Sequence, residues 1–291
     1  MIRLARALLW LLSLLPAAGP SWLARVLRRP WQAASPGKRA VAETNLRRCY
    51  PDMDPATLRR YVDDSFRHYV CTVLETGRNW YWPVRRLEQL CEEVVGEEQL
   101  REGLNGDRGL VVLAPHFGAW EYLGMYLQQF SHIAILYKKP THEGLARALL
   151  ERRRRGGALL LAADPSGLRR LYTHVRAGKG AGVLPDQEPS AGQGRFAPFF
   201  GVPALTGVLA PRLLQKTGAR AIFTACERRP GGRYRIHVIE PDEEIYSSDL
   251  DQALAAVNRG VEQCIAVDPA QYLWSYKRFR SRPEGQPSFY D

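Results

Sequence analysis

Apolar residues fall along this chain in two patterns. Short unbroken runs bounded by glycine, proline or charge read as buried strands, and longer stretches with apolar residues at helical spacing read as amphipathic helices. The runs Leu110 to Ala114, Ile133 to Tyr137, Leu159 to Ala162, Ala181 to Leu184, Ala221 to Ala225 and Tyr234 to Ile239 predict strands. Helical spacing predicts a helix from Ser35 to Tyr50, ended by Pro51. It predicts a second from Pro55 to Asn79, with Asp54 as N-cap and Leu58, Val62, Phe66, Tyr69, Val73 and Leu74 along one side. Further helices are expected over Phe117 to Phe130, His142 to Arg154, Gly167 to Arg176, Thr206 to Thr217 and Leu250 to Val267. Strands alternating with helices of this length predict an α/β fold, a mixed, largely parallel open sheet flanked by helices. Pro230-Gly231-Gly232 marks an antiparallel hairpin joining the last two strands.

The N-terminus is apolar between basic flanks: Arg3 and Arg6 precede the run Ala7 to Leu15, and Arg25, Arg28 and Arg29 follow. That run is short against the ~20 residues of a membrane span, although continuing through Pro16 and Gly19 to Leu23 reaches spanning length. The small residues after Pro16 also allow a cleaved signal peptide. The favoured expectation is an N-terminal membrane-anchoring helix that stays attached. It is either a kinked span or an interfacial helix whose arginines meet lipid phosphates, with an ordinary buried N-terminal helix as the alternative. The expected organisation is an anchor over residues 1–30 and one catalytic α/β domain over 31–291. Trp80, Tyr81 and Trp82 belong either to the core or to a membrane interface.

The 291 residues carry 41 Lys plus Arg against 30 Asp plus Glu, a net charge of +11, which attracts polyanions. Cys49, Cys71, Cys91, Cys226 and Cys264 are widely spaced and odd in number. They suggest neither a disulfide framework nor a zinc site, and they fit a reducing, cytoplasm-facing compartment. No Walker loop, G-x-G-x-x-G, H-E-x-x-H or G-x-S-x-G occurs, so nucleotide, zincin and serine-elbow chemistry lose support.

The candidate chemistry centres on Gly109 to Gly124, where strand, Pro115 and His116 lead into a helix carrying Glu121. On a continuous helix two residues five apart point about 140° apart. His116 therefore meets Glu121 only from the turn before the helix, where the carboxylate would orient the imidazole as a general base. Arg152 to Arg155 end a predicted helix. They are either a solvated C-terminus suited to the helix dipole or a phosphate clamp, which Lys138 and Lys139 would join. Asp186 and Gln187 follow a strand and would share the rim with His116 if the strands are parallel. Phe199 and Phe200 sit in an expected apolar loop, Pro198 to Pro203, either buried or walling an alkyl channel.

With these residues in place, the chain resembles the lipid A biosynthesis acyltransferases, the bacterial lauroyl/myristoyl transferase family. The likeness rests on five segments in order: the apolar N-terminus with Asn45 to Pro51, HFGAWE at 116–121, Asp186-Gln187, Pro198 to Gly201, and Gln271 to Arg280. It implies His116 as general base and Glu121 as its orienting carboxylate. It further implies substrate-binding roles for one arginine within 152–155 (Arg153, Arg154 and Arg155 the candidates), Asp186, Gln187, Phe199 and Phe200. Where many relatives carry histidine after the C-terminal Trp-x, this chain has Tyr276. The resemblance further implies transfer of a fatty acyl chain from an acyl carrier protein thioester to a hydroxyl of a lipid A precursor, at the cytoplasmic face of the inner membrane. No metal, cofactor or nucleic acid is implied, and the phospholipid surface is an expected partner. Two alternatives stand beside it: a related acyltransferase for a lysophospholipid or other glycolipid, and a non-enzymatic basic binder of membranes or nucleic acid.

Overall fold

The computed structural model describes residues 2–130, 133–137 and 157–290. The chain opens with helices α1 (Ile2–Ser13), α2 (Gly19–Ala33), α3 (Pro36–Cys49) and α4 (Pro55–Tyr81), followed by the short α5 (Val84–Glu88). Strand β1 (Cys91–Val95), helix α6 (Glu97–Asn105), strand β2 (Leu110–Leu113) and helix α7 (Trp120–Tyr126) come next. They are followed by β3 (Ile133–Tyr137), β4 (Leu159–Ala162), α8 (Pro165–Arg176), β5 (Gly180–Val183), β6 (Gly194–Phe199) and β7 (Val202–Gly207). Helix α9 (Leu209–Thr217), β8 (Arg220–Arg229), β9 (Arg233–Ile239) and α10 (Leu250–Ala266) complete the order. Asp54 caps α4 as its sequence position predicts, its carboxylate accepting from the Ala56 and Thr57 amides at 2.9 and 3.0 Å.

Seven strands form one open sheet in the order β1-β9-β8-β2-β5-β3-β4. Within this sheet β8 and β9 pair antiparallel, through the Pro230-Gly231-Gly232 turn, and the other pairings among the described residues are parallel. The period-two alternation of strand side chains divides the core between the two faces. Val111, Leu113, Ala181, Val183 and Phe223 join α3, α8, α9 and α10 on one side. Leu110, Val112, Ile222 and Ile236 meet Leu100, Tyr122 and Leu123 on the other. Burial on both faces explains why these strands read as continuous apolar runs.

Several expectations need correction. Cys91–Val95 is a strand, hidden from the sequence pattern because Glu92 and Glu93 break its apolar run at an exposed sheet edge. The segment around Pro198 to Pro203 is not a loop but a hairpin, β6 paired with β7. Phe200 (φ 49°) and Gly201 (φ 75°) form its tip, the two positive-φ positions that a tight hairpin turn requires. That hairpin takes Thr206 and Gly207, so the next helix begins at Leu209. The expected helix from Phe117 begins only at Trp120, because residues 117–119 are spent on contacts described below. The expected helix over His142 to Arg154 lies outside the described residues.

The N-terminal segment, expected as a single anchoring helix, is two helices. Both pack on α4, α1 through Leu12 and α2 through Ala24, Leu23 and Leu27 against Val70, Cys71 and Leu74. Gly77 permits this, since a Cβ there would lie 2.6 Å from Leu12 Cβ. No described helix is long and apolar enough to cross a membrane. Leu4, Leu8, Trp10, Leu11 and Leu14, with Trp22 and Val26 of α2, instead point outward and exposed.

Candidate active site

Strand register builds the site. β2 and β5 are parallel neighbours with Leu113 opposite Val183. Each continues through a proline, Pro115 and Pro185, and the third residue past each paired position is His116 on one strand and Asp186 on the other. Two parallel strands that end together thus deliver an imidazole and a carboxylate to the same point of the carboxyl-end rim, where open α/β sheets place ligands.

Asp186 holds His116 twice. Its Oδ2 accepts the His116 backbone N–H at 2.9 Å, and its Oδ1 lies 2.9 Å from the ring Nδ1. The Gln187 Nε2 lies 3.2 Å from the other ring nitrogen, Nε2. With Nδ1 donating to the carboxylate, Nε2 carries the lone pair, and the Gln187 amide donates to it. Trp120 flanks the ring edge-on at 5.3 Å between centroids. The Asp186 side chain is 2% exposed and His116 16%, so the carboxylate is sealed beneath an imidazole that still reaches the surface.

The turn carrying His116 is fixed from both sides. Gly118 donates its N–H to the Gln271 carbonyl at 2.9 Å and Ala119 to that of Cys226 at 2.8 Å, while Leu273 donates to the His116 carbonyl at 3.1 Å. Gly118 has φ 51°, and a Cβ there would lie 2.0 Å from the Cys226 oxygen, so only glycine fits. The Gln271 side chain is itself clamped on Arg228, accepting its N–H at 2.8 Å and donating to its carbonyl at 3.2 Å. Arg228 in turn forms a bidentate pair with buried Glu75 on α4, which Arg78 joins at 3.0 Å. Arg78 also donates to the Ala17 carbonyl at 2.6 Å, between α1 and α2. Every N–H from 116 to 119 is therefore committed inside the protein, Phe117 bonding to Pro115.

The electrostatics follow from this geometry. Burial alone would push the His116 pKa down, but the Asp186 carboxylate outweighs it, with a further contribution from Glu121, and the pKa is raised above 6.5. Asp186 moves the opposite way: burial opposes its charge, and His116 holds it below the usual carboxylate range. Burial, then the Asp186 charge, keeps the Tyr272 phenol protonated.

Sequence reasoning placed Glu121 as the residue that orients the imidazole. The Nδ1–H donates instead to Asp186, and Glu121, in the first turn of α7, contributes its charge. The signal for Asp186 was present in the matched strand–Pro–polar endings of β2 and β5, but pairing them required the sheet order. Phe199 is buried one layer below, against Tyr272 and Phe279, and Phe200 packs on Tyr50 and Trp274. Lys138, Lys139, Arg152, Arg153, Arg154 and Arg155 lie outside the described residues. Tyr276 accepts the Glu188 N–H at 2.9 Å, bracing the segment that follows Gln187.

Comparison with known proteins places these features in a family context. The family described as bacterial lipid A biosynthesis acyltransferase matches residues 2–281. The chain is similar to the lipid A biosynthesis palmitoleoyltransferase of Escherichia coli, 27% identical over 87% of this chain and 82% of that protein. It is likewise similar to the lauroyltransferase of the same organism, 29% identical over 86% and 81%. With the E. coli myristoyltransferase, identity is 25% over 85% and 77%.

Proposed function

Because the chain belongs to the bacterial lipid A biosynthesis acyltransferase family and is an acyltransferase of that pathway, we propose that His116 is its general base, acting on a hydroxyl of a lipid A precursor with an acyl carrier protein thioester as donor. The observation that carries this reading is the two-point grip of Asp186 on His116, which leaves the Nε2 lone pair directed at the Gln187 amide.

The acceptor hydroxyl takes the Gln187 position at Nε2. Its oxygen attacks the thioester carbonyl as its proton passes to Nε2, and Asp186 and Glu121 stabilise the imidazolium that forms. Collapse of the tetrahedral intermediate breaks the C–S bond, and the departing sulfur takes the proton back from Nε2. The products are the ester and the free carrier thiol, with no covalent enzyme intermediate. General base assistance contributes about 10²–10⁴-fold. The N–H groups of residues 116 to 119 are already bonded, which leaves the displaced Gln187 amide as a candidate donor for the oxyanion. A role for an arginine of 152–155 on the substrate phosphate or carrier protein is part of the same reading.

The exposed apolar residues of α1 and α2 support a membrane-surface position, which this reading puts on the cytoplasmic side. Leu4, Leu8 and Leu11 recur at helical spacing and continue into Trp22 and Val26, beside Arg25, Arg28 and Arg29. Two short helices with an apolar outer face and basic neighbours suit interfacial insertion rather than a span.

The test is to incubate detergent-purified protein with mixed acyl carrier protein thioesters and a tetra-acylated lipid A precursor, and to weigh the lipid by mass spectrometry. A gain of one acyl group, lost in His116→Ala, is expected. An equal gain with the folded His116→Ala protein removes the histidine from the chemistry. Thioester hydrolysis without a lipid product points to another acceptor.

A further inference from the structure

Some positive side chains among the described residues pair with carboxylates: Arg39 with Asp63, Arg101 with Glu97, Arg229 with Glu227, Arg235 with Glu93 and Arg259 with Asp242. A group near the C-terminal segment stands on aromatic rings instead. Arg48 and Arg282 both lie over the Phe289 ring, 4.1 and 3.9 Å from its centroid, and Lys277 lies 5.4 Å from the Tyr290 ring. Lys38 stands over Tyr69 at 4.8 Å. Among the described residues none of these four cations has a carboxylate within salt-bridge reach. Burial, then the neighbouring Arg48 charge, pushes the Arg282 pKa down, consistent with two guanidiniums held close over one ring.

Two of the four, Lys38 and Lys277, line a groove of about 320 Å³ between α3 and the C-terminal segment. Its floor is apolar or small at Gly37, Ala40 and Val41, and Thr44 and Ser275 offer hydroxyls. Phe289 and Tyr290 close one side. The groove is held in place from beneath. The Tyr290 hydroxyl bonds the buried Asn45 side chain and accepts the Phe279 N–H at 3.0 Å, while Asn45 Nδ2 donates to the Trp274 and Tyr276 carbonyls at 2.8 and 2.7 Å. A surface that keeps cations together over fixed aromatic rings is preorganised for an anion with an apolar body.

We propose that this groove binds a phosphate group of the phosphorylated glycolipid acceptor. The inference rests on the acceptor assigned above. Two contacts favour the lipid over the donor. Tyr69, beneath Lys38, packs edge-on against Trp31 of α2, so the groove adjoins the helix pair that presents the apolar outer face. Along α3, across the shared Ala40, it meets a second cleft lined by Arg29 and Arg39 against α2. In the other direction, Ser275 and Lys277 flank Tyr276, whose hydroxyl braces Glu188 just past Gln187. A phosphate held here stays beside both the lipid-facing helices and the segment that supports the catalytic rim.

The test uses full-length protein in detergent and the exposed pair Lys38→Gln with Lys277→Gln. Acyl transfer is measured to a bisphosphorylated tetra-acyl glycolipid and to its enzymatically dephosphorylated counterpart. The double variant should lose about tenfold in kcat/KM on the phosphorylated acceptor, the size expected for lost charge-assisted bonds. It should lose nothing on the phosphate-free one, and Lys38→Arg with Lys277→Arg should restore the phosphorylated value. Equal loss on both acceptors, no loss on either, or a raised KM for the thioester donor overturns the proposal. So does a parallel loss of flotation with phosphatidylglycerol vesicles, which would assign the cations to bulk lipid. Equilibrium binding of the two glycolipids to the non-turnover His116→Ala protein separates failure here from failure of the catalytic reading. Preference for the phosphorylated lipid that the lysine pair does not change sinks the groove alone.

Discussion

One carboxylate, Asp186, fixes both the backbone and the ring of one histidine, His116: Oδ2 takes the amide and Oδ1 faces Nδ1, each at 2.9 Å. The first bond sets where the residue sits and the second sets which way the ring points and which nitrogen holds the proton. Asp186→Asn keeps the shape but offers the ring an amide in place of a charge. Turnover should fall by about 10²–10⁴-fold, as for other carboxylate-supported histidine bases. A folded Asp186→Asn protein with undiminished turnover would remove Asp186 from the mechanism.

The pH profile gives a second reading of the same pair. A general base works neutral, and the His116 pKa is raised above 6.5, so kcat/KM should climb through an acidic limb lying above that value. In Asp186→Asn the raising charge is gone and burial remains, so the limb should move to lower pH as the plateau drops. A limb that stays put in the variant assigns the titration to another group. For stability the sign is reversed. A raised histidine pKa contributes stability that is complete below the unfolded value and lost as pH rises through the folded one.

Glu121 acts on the imidazolium by charge. Glu121→Gln should lower turnover at least about tenfold and shift the acidic limb downward in the same direction as Asp186→Asn. A variant with reduced turnover and an unmoved limb would show that Glu121 works on the substrate or the α7 turn instead.

Glu75 lies between Arg78 and Arg228 with all three buried, and its carboxyl is held below the usual range because both guanidiniums outweigh its burial. Glu75→Gln leaves two buried positive charges without their counter-ion, which should destabilise the fold by about 3–5 kcal/mol, read from thermal or denaturant unfolding. The pair's contribution is present above the unfolded glutamate pKa and lost as pH falls through the lower folded value. An unchanged midpoint would show that water reaches this cluster.

For the outer face of α1 and α2, Leu8→Glu with Trp22→Glu should abolish vesicle flotation and leave the melting temperature unchanged, because both side chains are exposed. Retained flotation would place the membrane contact elsewhere on the protein.

Much of this protein is written locally. The buried runs of β2, β3, β4, β5, β8 and β9, the Asp54 cap, the Pro230-Gly231-Gly232 turn and the break at Pro115 each depend on neighbours in the chain, and pattern alone locates them. His116 is legible for the same reason, as a polar residue where a buried strand stops. Its partner is not. Asp186 lies 70 residues away, and only the pairing of β2 with β5 in register brings the two endings level. Glu121, near in sequence, looked like the natural partner because local reasoning sees local neighbours. The β6–β7 hairpin escaped notice because apolar residues occupy both its buried face, at Ala197, Phe199 and Ala204, and its exposed face, at Phe196 and Pro198, so the sequence does not alternate although the burial does, and β1 because it sits half exposed at an edge. Likewise, the four cations around Phe289 and Tyr290 come from α3 and the last segment of the chain, some 230 residues apart from Arg48 to Arg282. Periodicity and turn chemistry decide which elements form, because they act over a few residues. Sheet order decides which side chains meet, because it is settled by burying both faces of the sheet at once.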